Sequence, residues 1–395
     1  MSFRKRAVVV GQAGSNSTAS QVTTTNKALP PGLRPSPLDG RLTTSTGTHS
    51  LDGLLAGHAG LALGTSLLIE EHGTTDFAGY LTRYFAAEGV VQGHQVHVLG
   101  MHEGWGRELP GIGTGEVSRR GSEMVNEEKM KIAWRYERLG EFGSARERGA
   151  PQSPGSQASS STAVFCHDFD LSKKLLLPSP SPMRFVPITT RPPFEFKDLD
   201  TSVSPFTGFL NHLSTQLSVS PNTVHRVVIP NLLSSALYPP ESSRPEHVLQ
   251  FLHGLRALLR KYPSQVVAII TLPVTLHPRT TGLTRWMELL SDGVLELSPF
   301  PSSALPAKST PGAATVHEEP PQGMLKIHRL PIFHEKGGGG GEASGFGDDL
   351  AFTLSRRKGL VIKPFSLPPV EGDTEAQQGG LEHEHGKATK VDIEF

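Results

Sequence analysis

The chain has 395 residues, 38 Lys and Arg against 38 Asp and Glu, 42 Gly, 32 Pro and a single cysteine. A net charge of zero leaves no global basic field for nucleic acid, so any RNA contact has to be local. One cysteine, Cys166, excludes an internal disulfide framework and a four-cysteine iron–sulfur site. The length allows one large domain or two small ones, and so much Gly and Pro keeps much of the chain out of a core. One domain with long insertions is expected. No apolar run approaches a membrane span and no convincing signal peptide opens the chain, so a soluble intracellular protein is expected.

Residues 1–40 are rich in Ser, Thr, Pro and Gly and read as a disordered arm. Ser50–Gly57 predicts a short helix with Ser50 as N-cap. The apolar strand Thr65–Ile69 follows, then the loop Glu70–Phe77, then a helix that places Phe77, Leu81, Tyr84, Phe85 and Val90 near one face. His94–Leu99 is the next strand. Strand, glycine-containing turn, helix, strand is the frame of a phosphate loop. A working loop adds G-K-[ST], whose lysine reaches the β/γ oxygens and whose hydroxyl holds magnesium. The sequence here is E-E-H-G-T-T-D-F, without lysine. Gly73, Thr74 and Thr75 offer amides at a helix N-terminus, which favours anions. Glu70 and Glu71, read as neighbours of that loop, oppose a phosphate. A degenerate loop that only holds the fold is the alternative reading.

Gly104–Gly121 and Gly140–Thr162 read as insertions, with a helix at Ser122–Leu139 between them. The core resumes at the strand Ala163–His167. The helix Pro205–Val219, the strand Val224–Ile229 and a helix opened by Pro245 come next, the last burying Val248, Leu252, Leu255 and Leu259. Val266–Thr271 is apolar throughout, as buried parallel strands are. The helix Leu283–Leu290 and the strand Gly293–Leu297 follow. Leu325–Phe333, Leu350–Leu354 and Leu360–Pro364 suggest antiparallel strands closing one edge. The alternation predicts an α/β, doubly wound, mostly parallel sheet. The domain is set at 41–370, with disordered insertions near 104–121, 140–162, 300–320 and 335–348 and a disordered tail at 371–395.

Other chemistry is sparse. The apolar run Val227–Ile229, at the magnesium-carboxylate position, ends in Pro230-Asn231, and asparagine binds magnesium more weakly than a carboxylate. Cys166-His167-Asp168 has triad residue types, but consecutive strand residues face opposite ways. His383-Glu384-His385 lacks the convergent ligands of a structural zinc site. Arg279 and Arg285 flank Thr280–Gly282, and Arg356-Arg357-Lys358 reads as a hairpin tip; either cluster suits RNA phosphates, or is solvated loop charge.

R-P-S-P-L-D-G-R (Arg34–Arg41), S-T-G-T-H-S-L-D-G-L-L-A-G-H (Ser45–His58), G-T-S-L-L-I-E-E-H-G-T-T-D-F (Gly64–Phe77) and K-I-A-W-R-Y-E-R-L (Lys131–Leu139) together resemble the fourth-subunit family of the Elongator complex. Arg226–Leu233 and Gly282–Pro299 extend the resemblance toward Phe365. It implies a RecA-like fold and a non-catalytic accessory subunit in a hetero-hexameric ring with the fifth and sixth Elongator subunits. The ring docks on the catalytic Elongator subcomplex, binds tRNA and supports 5-carboxymethyl-type modification of wobble uridine, in the cytoplasm and nucleus. No cofactor is required on this reading, with ATP held, if anywhere, at subunit interfaces. The alternatives are a divergent ATPase with unconventional phosphate ligation and a DNA-binding recombinase relative.

Overall fold

The computed structural model describes residues 29–55, 58–113, 164–188, 204–301, 320–331 and 350–365. Its strands are β1 (Leu33–Pro35), β2 (Leu42–Thr44), β3 (Leu61–Ala62), β4 (Ser66–Glu71), β5 (Gln95–Leu99), β6 (Pro110–Ile112), β7 (Phe169–Lys174), β8 (Met183–Val186), β9 (His225–Ile229), β10 (Val266–Pro273), β11 (Gly293–Pro299), β12 (Gly323–Arg329), β13 (Leu350–Ser355) and β14 (Gly359–Pro364). The α-helices are α1 (His49–Leu54), α2 (Phe77–Val91), α3 (Thr207–Val219), α4 (Pro245–Lys261) and α5 (Gly282–Leu290).

Nine strands form one sheet in the order β14-β13-β12-β11-β4-β10-β9-β5-β8. Every pairing from β11 to β8 is parallel, and every pairing from β11 to β14 is antiparallel. This is the doubly wound sheet with an antiparallel edge that the apolar strands predict. Side-chain alternation along β4 shows the two layers directly. Leu67 and Ile69 enter the core under α2, while Leu68 enters the core shared by α3, α4 and α5. Helix α4 starts at Pro245, in the first turn where a missing N–H costs nothing, and buries Val248, Phe251, Leu252, Leu255 and Leu259.

The motif around Ser45–Asp52 is a polar knot. The buried Asp52 carboxylate accepts from Ser45 Oγ (2.5 Å), Thr46 N (2.7 Å) and Thr46 Oγ1 (2.7 Å). Gly47 takes φ +79°, and a Cβ there would lie 2.4 Å from the Tyr84 carbonyl oxygen, so only glycine fits between this turn and α2. Arg226 of β9 runs fully buried under the same helix. It donates from Nε to His94 Nδ1 (3.0 Å), from Nη1 to the carbonyls of Ser45 (2.9 Å) and Phe85 (3.0 Å), and from Nη2 to Thr44 Oγ1 (2.6 Å).

Several local expectations are corrected. The arm assigned to 1–40 contains β1, paired antiparallel with β2, because Leu33 can bury part of its side chain against the first core. The stretch 103–112 is not a disordered insertion. It forms a 3₁₀ helix, Glu103–Glu108, and β6, with Trp105 and Leu109 buried. Residues 164–168 make no strand; β7 begins one residue later, at Phe169. Ser50 lies inside α1 and accepts from Ile362 N (3.0 Å), while Thr48 holds the N-cap position. The stretches 122–139, 140–162, 335–348 and 371–395, and most of 300–320, lie outside the described residues.

Candidate functional site

The loop after β4 sits at the carboxyl ends of the parallel strands, where ligands of open α/β sheets bind. Glu70 and Glu71 belong to the strand, not to the loop. As successive strand residues they face opposite layers, a consequence of the period of two. Glu71 points toward α2. Its Oε1 accepts from Thr75 Oγ1 (2.7 Å) and Phe77 N (2.9 Å), and its Oε2 accepts from Ala78 N (2.9 Å). The N-terminus that would cradle a phosphate is therefore capped by the chain's own carboxylate. Burial raises the Glu71 pKa, and the hydrogen bonds from Thr75, Ala78 and Phe77 pull against that rise.

Gly73, Thr74 and Thr75 are exposed at the loop tip, but the amides assigned to anion binding are not free to act together. Gly73 N donates to Thr275 Oγ1 (2.7 Å), from the loop after β10, and the Thr75 hydroxyl is held by Glu71. Pro230-Asn231 follows β9, which β10 separates from β4. Asn231 is tied to Thr271: its N–H donates to Thr271 Oγ1 (2.7 Å), whose hydroxyl lies 3.4 Å from Asn231 Oδ1.

Replacing Glu71 by glutamine should cost about 1–3 kcal/mol, because the amide NH₂ then faces the Ala78 N–H and leaves a buried donor unmet. Urea unfolding of the purified chain measures this. A midpoint equal to that of the parent would show that the cap is energetically idle.

Glu70 points into the other layer, toward α5. Arg279 Nε lies 3.0 Å from Glu70 Oε2 and 2.8 Å from Glu288 Oε1, and its Nη1 lies 3.3 Å from Glu296 Oε2. Arg279 is thus drawn inward by three carboxylates, unlike the exposed loop cation that the RNA reading expects. Burial pushes the Glu70 pKa up to about 8, with the neighbouring Glu288 charge acting the same way. At Glu296 burial also acts upward, but hydrogen bonds from His328 and His72 outweigh it and hold the carboxyl below its usual range. Arg285 pairs with Glu288 at 3.0 Å and is 61% exposed.

Arg356, Arg357 and Lys358 form the exposed turn between β13 and β14, as the hairpin reading expects. Arg357 and Lys358 border a cavity of about 670 Å³ together with Lys173, His49 and Asp168. His49 Nε2 sits 3.0 Å from Asp168, and His167 Nδ1 sits 3.0 Å from the fully buried Glu88. Cys166-His167-Asp168 makes no relay, since its His and Asp pair separately with Glu88 and His49. Burial raises the Cys166 pKa, which makes the thiol a poor nucleophile.

Comparison with known proteins decides the family. The chain matches the family described as PAXNEB protein over residues 26–395. It is 32% identical over 389 residues to Elongator complex protein 4 of Schizosaccharomyces pombe, covering 94% of each chain. The chain belongs to the Elongator complex protein 4 (PAXNEB) family. Elongator complex protein 4 of Homo sapiens is 30% identical to it, over 89% of this chain and 82% of that one. A solved KaiC-like protein from Pyrococcus horikoshii OT3 aligns with a TM-score of 0.38 and 15% identity, over 82% of this chain and 99% of that one. Among the described residues, no helix of this family member is long and apolar enough to cross a membrane.

The sequence reading missed Glu71 as a cap, the Glu70–Glu296–His328 grouping and buried Arg226. Only the first had a usable signal: two glutamates in succession at the end of an apolar strand must serve two different layers.

Proposed function

We propose that this chain is a non-catalytic accessory subunit of an Elongator complex. It forms a hetero-hexameric ring with the fifth and sixth Elongator subunits, which joins the catalytic subcomplex, binds tRNA and supports 5-carboxymethyl-type modification of wobble uridine in the cytoplasm and nucleus. Family membership supports the assembly. The Glu71 carboxylate seated on the N-terminus of α2, in a loop without lysine, supports the absence of autonomous ATP hydrolysis. No cofactor is required; any ATP binds where a neighbouring subunit supplies the missing cation. The tRNA contact is assigned first to Arg356, Arg357 and Lys358, which are exposed, and then to Arg285. Arg279 contributes indirectly, by holding the carboxylates around it.

Co-expression with both partners, followed by native mass measurement and an ATP turnover assay, tests the reading. A six-chain species and background turnover by the lone chain are expected. Robust hydrolysis by the single chain, or a monomer that ignores both partners, would overturn it. Replacing Arg357 and Lys358 by serine should weaken tRNA binding by the intact ring about 10-fold or more at low salt and lower the dependence of affinity on salt. Unchanged affinity would move the contact elsewhere.

A further inference from the structure

We propose that Glu70, Glu296 and His328 form a binding site for a zinc-class divalent cation at the carboxyl end of the central strands. The register of the sheet builds it. Glu70 of β4 pairs with Glu296 of β11, and β12 runs antiparallel beside β11, bringing His328 to the same face. One ligand atom from each of the three residues lies within 4.8 Å of the others. All three stand at or near the middle of a continuous sheet, which fixes them better than loops would.

A second observation points to a ligand. The Glu70 side chain is fully buried, and neither of its oxygens accepts a hydrogen bond of good geometry, although Arg279 Nε stands 3.0 Å from one of them. A buried carboxylate without hydrogen bonds is costly unless a cation completes it. Arg279 is shared among Glu70, Glu288 and Glu296, and Arg285 pairs only with Glu288. With all three carboxylates ionised, one negative charge remains for another cation to balance. His72 Nε2 lies 2.7 Å from Glu296 Oε1 and adds a second imidazole at the rim. Imidazole nitrogen with carboxylate oxygen selects zinc-like ions, whereas magnesium and calcium take oxygen alone.

Arg279 is the competing cation. It stands on the segment between β10 and α5, where Leu276, Pro278, Thr280 and Thr281 are exposed, so the arginine can swing out as the metal enters. This makes a prediction that a purely structural role for Arg279 does not.

The test is Zn²⁺ titration by calorimetry at pH 8 on the full chain, with His383 and His385 replaced by alanine so that the tail histidines supply no background. Circular dichroism confirms that each variant is folded. One Zn²⁺ per chain is expected, with Mg²⁺ failing to compete. Glu296→Gln and His328→Gln should each weaken binding at least 10-fold, and Arg279→Gln should strengthen it. No uptake by the folded chain, uptake indifferent to Glu296→Gln and His328→Gln, or an Arg279→Gln variant that gains no affinity would each overturn the site. These readouts do not depend on ring assembly or tRNA, so the proposal stands or falls apart from the accessory-subunit reading.

Discussion

Replacing Arg226 by methionine is expected to destabilise the chain by about 3–5 kcal/mol. The guanidinium is fully buried, and four acceptors depend on it: two carbonyls, a hydroxyl and an imidazole. Methionine fills comparable volume but withdraws a donor from all four, inside the core beneath α2. The Thr44 hydroxyl then keeps only its bond to the Gly32 carbonyl, and His94 only its Nε2 contact with Pro31. The packing there leaves no space for rearrangement, since a Cβ on Gly89 would lie 2.6 Å from Arg226 Cδ. Nearby Glu88, fully buried, also loses a compensating positive charge. Lysine should recover only part of the loss, because an ammonium cannot reproduce the planar fork. Since a domain's whole stability is about 5–15 kcal/mol, Arg226→Met should be marginally folded. Chemical unfolding followed by circular dichroism measures it, with Arg357→Ser, at an exposed turn, as a control expected to shift by less than about 0.5 kcal/mol. A Met variant as stable as the parent would show that the buried network contributes nothing net.

Lowering the pH from 6.5 to 5 is expected to remove about 3 kcal/mol of stability through His94 and His97. Glu70, raised to about 8 in the folded chain, offsets about 2 kcal/mol of that loss, because it takes up its proton before the unfolded carboxyl does. Burial pushes both imidazoles down to about 3; the Arg226 charge adds to this at His94, and His225 and His212 add to it at His97. In the unfolded chain each takes a proton near 6.5, so below that pH the unfolded state binds more protons and stability falls as the pH drops. Each imidazole contributes half of the roughly 3 kcal/mol over that interval, and the loss continues until the folded pKa near 3 is reached. His212 and His225, also lowered by burial, act in the same direction. His49 and His167 act oppositely. Their pKa values are raised by hydrogen bonds to Asp168 and Glu88, so their contributions are complete below 6.5 and fade as the pH rises. The first of these pairs is largely exposed and weak. Urea midpoints at pH 7.5, 6 and 5 test this, and His97→Phe should remove roughly half of the histidine contribution relative to the parent. A His97→Phe variant with the same pH dependence as the parent would show that this ring takes up its proton in the folded protein as readily as in the unfolded chain.

The parallel half of the sheet, apart from its edge strand β8, was legible from residue type because its strands are largely apolar. The run at Val266–Pro273 has no alternative to burial between two layers of helices, and Pro245 with the 3.6-residue spacing of Val248, Leu252, Leu255 and Leu259 marks α4 directly. Short elements were not legible. β1, β3 and β6 have three residues or fewer and exist only because a neighbour completes their hydrogen bonds. The apolar run A-V-F-C places the expected strand at Ala163–His167, whereas β7 itself, F-D-L-S-K-K, is mostly polar and carries little signal.

At the site, residue identities alone establish that the loop after β4 has no lysine and that the apolar run Val227–Ile229 ends in Pro230-Asn231. They also point to the family, through several long motifs in order. Where each charge goes depends on the folded arrangement. Glu70 and Glu71 are adjacent in sequence, yet one faces Arg279 and the other caps α2, because the pleat separates neighbours into opposite layers. Arg279 and Arg285 look alike as loop cations, and only the approach of Glu70, Glu288 and Glu296 from three separate elements distinguishes the inward one. Local patterns record which side chains prefer burial. Which opposite charges meet is set by strand register and helix placement across stretches of more than two hundred residues, from Glu70 to Glu296.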